Sequence, residues 1–203
     1  MSRTVIFLLI IVICLAGWHF YIEPLDQTFN NIQVTSQKIG DNIIGSNPLL
    51  TIARDGYGNE NIVREIEEKV HYYTNQERIA AGLPTLPKNV QLQEIARKHS
   101  EDMAKNNYFS HTNLQGQSPS DRALADGYIS STFGENLFLM PAGNVIGIGY
   151  VNKYDVDQIA REVVNGWMES SGHRQNILYS HYTQMGIGVA SKGNQYYITQ
   201  NFS

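Results

Sequence analysis

Apolar positions recur every three or four residues in three stretches beyond residue 60, which is the spacing of an amphipathic helix. The first predicted helix begins at Asn61, whose side chain can cap it, and ends before Gly82. The second covers about residues 89–107. The repeating faces of these two helices consist of Ile62, Ile66, Val70 and Tyr73 in the first, and of Leu92, Ile95, Ala96, His99 and Met103 in the second.

Two further helices carry signals at their first residues. Ser118 is followed by Pro119 at the first helical position and by Asp121 three residues past the cap, which is the pattern of a capped helix start. The fourth helix is predicted to begin at Asp155 or Asp157. Its apolar stripe consists of Ile159, Val163 and Trp167.

The end of the chain changes from helical to strand periodicity. Met185, Ile187 and Val189 alternate with smaller or polar neighbours, residues 192–194 give a turn signal, and residues 196–202 return as a second strand. Helices followed by a terminal hairpin predict an α+β fold, in which helices cover a small antiparallel sheet.

The N-terminal segment predicts export. Residues 4–22 carry no charge over nineteen positions and, as a helix, would extend about 28 Å, which matches the hydrocarbon thickness of a bilayer. Arg3 before this run and aromatic residues at its end favour a single-pass anchor in the cell membrane, with the body of the chain outside. A cleaved signal peptide, which would leave the protein secreted, is the alternative. Cys14 is a poorer candidate for a lipoprotein anchor, because Ile13 stands before it where a small residue is expected.

Composition limits what the rest of the chain can be. A length of 203 residues suits one domain with appendages: an anchor or uncleaved signal over 1–22, a polar tether over 23–60 and a domain over 61–203. The formal charge of -4 divides equally between residues 1–60 and the remainder, so no basic region indicates nucleic acid as a partner. The single cysteine lies in the apolar run, so the domain has neither a disulfide nor a thiolate metal site.

Six sequence blocks in the domain carry a family resemblance. They are NQERIAAGLPTL (75–86), YFSH (108–111), GENL (134–137), WMESSGHRQNIL (167–178), HYTQMGIGVA (181–190) and YYITQNF (196–202). Together, and in this order, they resemble the CAP family, also called the SCP, pathogenesis-related-1-like or allergen V5/Tpx-1-like domain, in its bacterial-type branch. The resemblance implies a three-layer α-β-α sandwich, which agrees with the α+β fold predicted from periodicity.

The resemblance also implies a cleft lined by two histidines and two acidic residues. On this sequence three of them are His111, Glu135 and His181, whereas the position of the second acid is occupied by Ser170. Glu169 is adjacent, but one residue along a helix rotates a side chain by about 100°. Imidazole nitrogens are common zinc ligands, so zinc held by His111 and His181 is a possible cofactor. Without metal, the same groups could transfer protons.

His173 has two interpretations. The segment from Trp167 to Arg174 resembles the W-x-x-S-x-G-H-R pattern of the bacterial-type branch, in which the second acid is also missing. In one interpretation His173 and Arg174 brace the turn after the fourth helix through hydrogen bonds to backbone carbonyls. In the other, His173 is a third imidazole that reaches the cleft.

Three function classes remain open at the level of sequence. The favoured hypothesis is an extracytoplasmic, membrane-tethered binding or interaction module without turnover, whose partners are the membrane, through residues 4–22, and an unknown extracellular ligand or protein. The first alternative is a divalent-metal-dependent hydrolase or peptidase. The second is lipid or sterol binding, for which residues 145–150 are the candidate wall of an apolar groove.

Overall fold

Residues 59–203 of the 203-residue chain are described by a computed structural model. The predicted membrane anchor at residues 4–22 and all but the last two residues of the predicted tether lie outside the described residues. Asn59 and Glu60 already belong to the first helix. Within residues 59–203, no helix is both long and apolar enough to cross a bilayer.

Five helices and five strands occur in the described part of the chain. The helices are α1 (Asn59–Ala80), α2 (Val90–Asn106), α3 (Pro119–Ala125), α4 (Val156–Glu169) and α5 (Ser171–Ile177). The strands are β1 (Gly134–Pro141), β2 (Gly143–Val145), β3 (Gly149–Val151), β4 (Met185–Lys192) and β5 (Gln195–Phe202). The order along the chain is α1, α2, α3, β1, β2, β3, α4, α5, β4, β5.

The main sheet has three antiparallel strands in the order β1-β5-β4. Gly134 of β1 lies opposite Phe202 of β5, and Pro141 lies opposite Gln195, so the two strands pair over their full length. Strands β4 and β5 form the predicted terminal hairpin, and Gly193 in its turn has a φ of 60°. Strands β2 and β3 form a separate two-stranded hairpin.

Helices cover both faces of the main sheet, which confirms the α+β fold. Side chains from α1 and α4 share one core cluster with Ile187 and Val189 of β4 and Ile198 of β5. Alternate residues of the same strands, Ala190 and Tyr197, belong to a second cluster with residues of α2. The strand period of two therefore divides the sheet residues between two apolar layers.

Helix α2 lies unusually close to β4. A Cβ atom built on Gly186 would overlap the backbone of Leu92 and Gln93, and one built on Gly188 would overlap the backbone of Ala96 and Arg97. The two glycines therefore allow direct contact between the backbones of α2 and β4.

The helix ends match the sequence signals in all but one case. Asn89 caps α2 through a bond from the Leu92 N–H, and Ser118 and Asp121 form a capping box on α3. Asp155, and not Asp157, caps α4. The predicted cap at Asn61 is wrong, because α1 begins two residues earlier and includes Asn61.

Three features of the structure had no signal in the sequence pattern: helix α5, strand β1 and the β2–β3 hairpin. Helix α5 is almost entirely polar and has Ile177 as its only buried residue, so it lacks an apolar stripe. Strand β1 carries a continuous apolar run instead of an alternating one. The β2–β3 hairpin contains residues 145–150, which the sequence offered only as the candidate wall of an apolar groove.

We predict that Gly188→Ala lowers the free energy of unfolding by about 3 kcal/mol, because the added methyl group must push α2 away from β4. The measurement is urea-induced unfolding. Gly172→Ala is the matched control: no atom lies within 4 Å of its added Cβ, so stability should stay the same or rise slightly. Equal destabilisation by the two substitutions would contradict the close packing of α2 on β4.

Candidate functional site

The carboxylate of Glu135 is buried and fully engaged. Glu135 is the second residue of β1, and its side chain is only 2% exposed. Its Oε1 atom lies 2.9 Å from His111 Nδ1, and its Oε2 atom accepts a 2.5 Å hydrogen bond from Arg122 Nη2. Its main-chain oxygen accepts a bond of 3.2 Å from Asn176 Nδ2. Both carboxylate oxygens are therefore used within the domain.

Arg122 reaches Glu135 from α3 and also holds the loop that precedes that helix. Its Nη1 atom donates to the main-chain oxygens of His111, at 2.6 Å, and Gln117, at 3.2 Å. The capping box fixes the first turn of α3 and with it the direction of the Arg122 side chain. A single guanidinium thus positions both the backbone of His111 and the carboxylate that its ring contacts.

The Glu135 contact determines which nitrogen of His111 carries a proton. An ionised carboxylate next to an arginine only accepts hydrogen bonds, so Nδ1 of His111 must be the donor. Nε2 of the neutral ring is then an acceptor, and no side chain or backbone group within residues 59–203 bonds to it. The His111 side chain is 51% exposed. The site therefore presents one oriented imidazole nitrogen at the protein surface.

His173 lies near this pair. It is half-buried in α5, and its main-chain oxygen accepts a 3.2 Å bond from Asn136 Nδ2. Burial lowers the pKa of His173, and the nearby charge of His111 lowers it further. The main chain of His173 thus braces β1 through Asn136. That its ring lines the cleft stays a prediction.

His181 and Glu169 do not contact the His111–Glu135 pair. The exposed ring of His181 packs against Tyr179, with 5.1 Å between centroids, and its Nδ1 atom lies 3.3 Å from Ser180 Oγ. Glu169 is the exposed last residue of α4, and in the part of the chain that the structure describes it has no ion pair or hydrogen bond. That these two residues line the cleft stays a prediction.

A polar hollow of about 190 Å³ lies next to Arg122. His99, on its wall, is 2% exposed, and its Nε2 atom lies 2.9 Å from the main-chain oxygen of Ser110. Burial lowers the pKa of His99, so its ring is held neutral. His99 therefore holds the main chain of Ser110, the residue before His111, in place. Its burial agrees with its predicted position on the apolar face of the second helix.

Comparison with known proteins identifies the domain. The model of the cysteine-rich secretory protein family, CAP, matches residues 71–202. The chain belongs to the CAP family. This confirms the resemblance seen in the six sequence blocks.

Two curated relatives come from Bacillus subtilis (strain 168). The uncharacterized membrane protein YlbC is 37% identical over 136 residues, which are 67% of this chain and 34% of the relative. The uncharacterized protein YkwD is 36% identical over 140 residues, which are 69% of this chain and 48% of the relative. This chain therefore matches between a third and a half of the length of these relatives.

A solved structure from a bacterium shares the fold. The crystal structure of an extracellular protein containing a SCP domain, from Bacillus anthracis str. Ames, has a TM-score of 0.59 and 28% sequence identity to this chain. The match covers 71% of this chain and 42% of the other. Bacterial proteins are thus among the relatives of this CAP domain.

The side chains of this CAP cleft do not fit a zinc centre built from His111, His181 and Glu135. Glu135 is buried with Arg122 on one oxygen and His111 on the other, and His181 makes its contacts elsewhere. Across residues 59–203, no group of three His, Cys, Asp or Glu side chains is arranged to hold a metal ion. Zinc binding by the two histidines would require Glu135 to leave Arg122 or a different ligand to join.

Sequence reasoning missed Arg122, the residue that organises this CAP site, and Asn176. Arg122 lies 13 positions before Glu135 in the chain and is the fourth residue of α3. The capping signal predicted this helix but did not mark Arg122 as a site residue. Asn176 Nδ2 bonds both the Glu135 oxygen and Asn136 Oδ1. One signal could have pointed to Arg122. A buried Glu135 needs a positive partner, and Arg122 is a cation on the short helix that precedes Glu135.

We predict that Arg122→Met lowers the free energy of unfolding by about 3 kcal/mol, because it leaves the buried Glu135 charge with His111 as its only side-chain partner. Adding Glu135→Gln should recover at least about 1 kcal/mol, since the neutral amide no longer requires a cation. Urea unfolding of the single and double variants measures both effects.

Arg161→Met is the control for this cycle. Its ion pair with Asp157 is exposed at both ends, so its loss should lower stability far less than Arg122→Met does. If the double variant were less stable than Arg122→Met alone, the idea that Arg122 acts mainly on the Glu135 charge would be wrong.

Proposed function

We propose that this protein is an extracytoplasmic, membrane-tethered CAP domain that binds a ligand or another protein at the His111 cleft without chemical turnover. The observation that carries the proposal is that Glu135 is buried and that each of its carboxylate oxygens is bonded within the domain. Because both of its oxygens are bonded to His111 and Arg122, Glu135 is not available as a general base or as a metal ligand. It acts as a fixed support for one imidazole.

That support makes His111 a preorganised binding group. Its ring is held by Glu135 through Nδ1, and its main chain is held by Arg122, so little side-chain freedom remains to be lost on binding. The Nε2 atom of the neutral ring accepts a hydrogen bond from a ligand hydroxyl or amide, and the protonated ring donates one to an acceptor.

The location rests on the sequence and on relatives. Residues 4–22 have the length and apolarity of a membrane span, and Arg3 favours an outside position for the domain. One curated relative is named a membrane protein, and a solved relative is named an extracellular protein. We infer a single-pass protein with its CAP domain outside the cytoplasm.

A metal-dependent hydrolase is the second candidate, and the orientation of His111 favours it. A bare Nε2 atom backed by a carboxylate on Nδ1 is also how histidine binds zinc in many metal sites. This candidate requires two further ligands and a displaced Glu135–Arg122 pair, which is why we place it second. The hydroxyl of Ser110, next to His111, accepts a bond from the N–H of Thr112 and has no bond to a histidine within residues 59–203, so it is not arranged as an activated nucleophile.

Calorimetric titration with zinc separates the two candidates. The full chain, purified in detergent, is compared with the double variant His111→Ala/His181→Ala. For a binding module we expect no stoichiometric zinc uptake in the wild-type protein, and the same small heats in the double variant. The reason is that displacing Glu135 from Arg122 would leave two buried charges unpaired.

Matching thermal unfolding curves for the two proteins establish that the variant is folded. Stoichiometric zinc binding that the double substitution abolishes would contradict the proposal and support the hydrolase.

A further inference from the structure

The β2–β3 hairpin holds apolar side chains out into solvent. Ile146 at its tip is 102% exposed, and Ile148 and Tyr150 are also exposed. The base of the hairpin is different: Val151 is fully buried, and Val145 packs against the main core cluster. The base of the hairpin is thus packed in the core, whereas its apolar tip is exposed to solvent.

The tip has no charge of its own. Residues 141–152 contain no Asp, Glu, Lys or Arg, and the first charged side chain after them, Lys153, lies over the ring of Tyr154 at 4.7 Å. Clustered exposed apolar side chains on a monomer commonly mark a contact with a membrane or another protein. This segment therefore requires an apolar surface to cover it.

The hairpin and the His111 cleft lie at opposite ends of the domain. Glu135 pairs with Asn201 near one end of β1, and Pro141 pairs with Gln195 at the other. The backbone N–H of Ala142 then bonds to the Asn194 oxygen in the β4–β5 turn. Pro141 lies six positions after Glu135 along β1, which places the base of the hairpin about 20 Å from the backbone of Glu135.

Helix α1 runs from the hairpin end toward the cleft end. Tyr73 in its second half donates to Asp157, at the start of α4 just after the hairpin. Arg78, one turn later, donates to the main-chain oxygens of Ile177 and Tyr179, beside the Asn176 that bonds Glu135. The first residues of α1 therefore lie toward the hairpin end, so the chain enters the domain from that end.

We propose that the tip of the β2–β3 hairpin, Ile146 with Ile148 and Tyr150, inserts into the surface of the lipid bilayer that carries the protein. The inference rests on the membrane tether proposed above. Residues 23–58 span at most about 130 Å however they fold, so a tethered domain cannot leave the neighbourhood of the membrane. A contact between the hairpin tip and lipid can then be too weak to bind a free protein and still form, because the tether keeps the domain at the membrane.

The chemistry of this end favours lipid over a second copy of the chain. The tip is convex and combines aliphatic side chains with a tyrosine, a residue type enriched at membrane interfaces. Lys105, Lys153 and Lys192 lie at the same end, since Lys192 bonds the Lys105 oxygen beside the β4–β5 turn. Asp155 and Asp157 follow the hairpin as well, so the charge at this end is mixed, and it is the uncharged aliphatic and aromatic tip that favours lipid.

The consequence is an orientation of the domain. With the hairpin on the bilayer, the His111 cleft at the other end of β1 points away from the membrane, toward soluble or cell-surface partners. The hairpin thus limits rotation of the domain on its tether.

The test places a polarity-sensitive NBD label at the tip of the full-length protein. Cys14→Ser removes the native thiol, and Ile146→Cys provides the labelling site. Ile129→Cys is the matched control, because Ile129 is 85% exposed and its neighbour Tyr128 bonds Ser203 at the cleft end. Both proteins are reconstituted into phosphatidylcholine vesicles containing phosphatidylglycerol. We expect a blue shift and quenching by a lipid-borne nitroxide at position 146 only.

Flotation of the same vesicles separates this inference from the tether. If the protein floats but the label at 146 reports water, the hairpin contact is wrong and the tether stands. If the protein does not float, the tether fails and this inference fails with it. A blue shift at 146 without nitroxide quenching indicates a second copy, and equal shifts at 129 and 146 indicate no fixed orientation; either result overturns the proposal.

Discussion

A carboxylate buried beside an exposed histidine is the group on which the candidate site depends. Removing an ionised side chain from water costs several kcal/mol unless partners replace the lost hydration. Glu135 obtains those partners from Arg122 and His111, both on the segment between α2 and β1. The capped helix α3, the loop bonds of Arg122 and the buried His99 below them all serve to hold that segment in place. The exposed nitrogen of His111 is the product of this arrangement.

Local signals predicted helices α1 to α4 and the terminal hairpin, because caps, glycines and periodicity act over a few residues. Helix α3 shows this, since its start is fully encoded by Ser118, Pro119 and Asp121. Strand β1 was missed because helices cover both of its faces: Leu137 belongs to one apolar cluster and Met140 to the other, so no alternation shows. Contacts between segments that are distant in the chain could not be predicted from local sequence patterns. For that reason the resemblance supplied His111 and Glu135, whereas the Arg122 contact came only from the structure.

The two ends of the domain have different functions in our account: one binds a ligand and the other contacts the membrane. One end exposes the single oriented imidazole of His111, whose partner Glu135 is itself bonded to Arg122. This arrangement suits recognition better than catalysis. The other exposes the apolar tip at Ile146 beside the end from which the chain enters. The three-stranded sheet keeps these ends about 20 Å apart. Close packing of α2 on Gly186 and Gly188 makes the sheet a rigid spacer, because the helix backbone contacts the strand directly.

The central claim is that Glu135 holds His111 with the proton on Nδ1 and leaves Nε2 bare. Long-range proton–nitrogen correlation NMR of the nitrogen-15-labelled protein, recorded above neutral pH where imidazoles lose their charge, reports this tautomer directly. Our account predicts the Nδ1–H tautomer for His111 in the wild-type protein. A His111 ring that carries its proton on Nε2 would contradict it, because Glu135 would then have no imidazole donor.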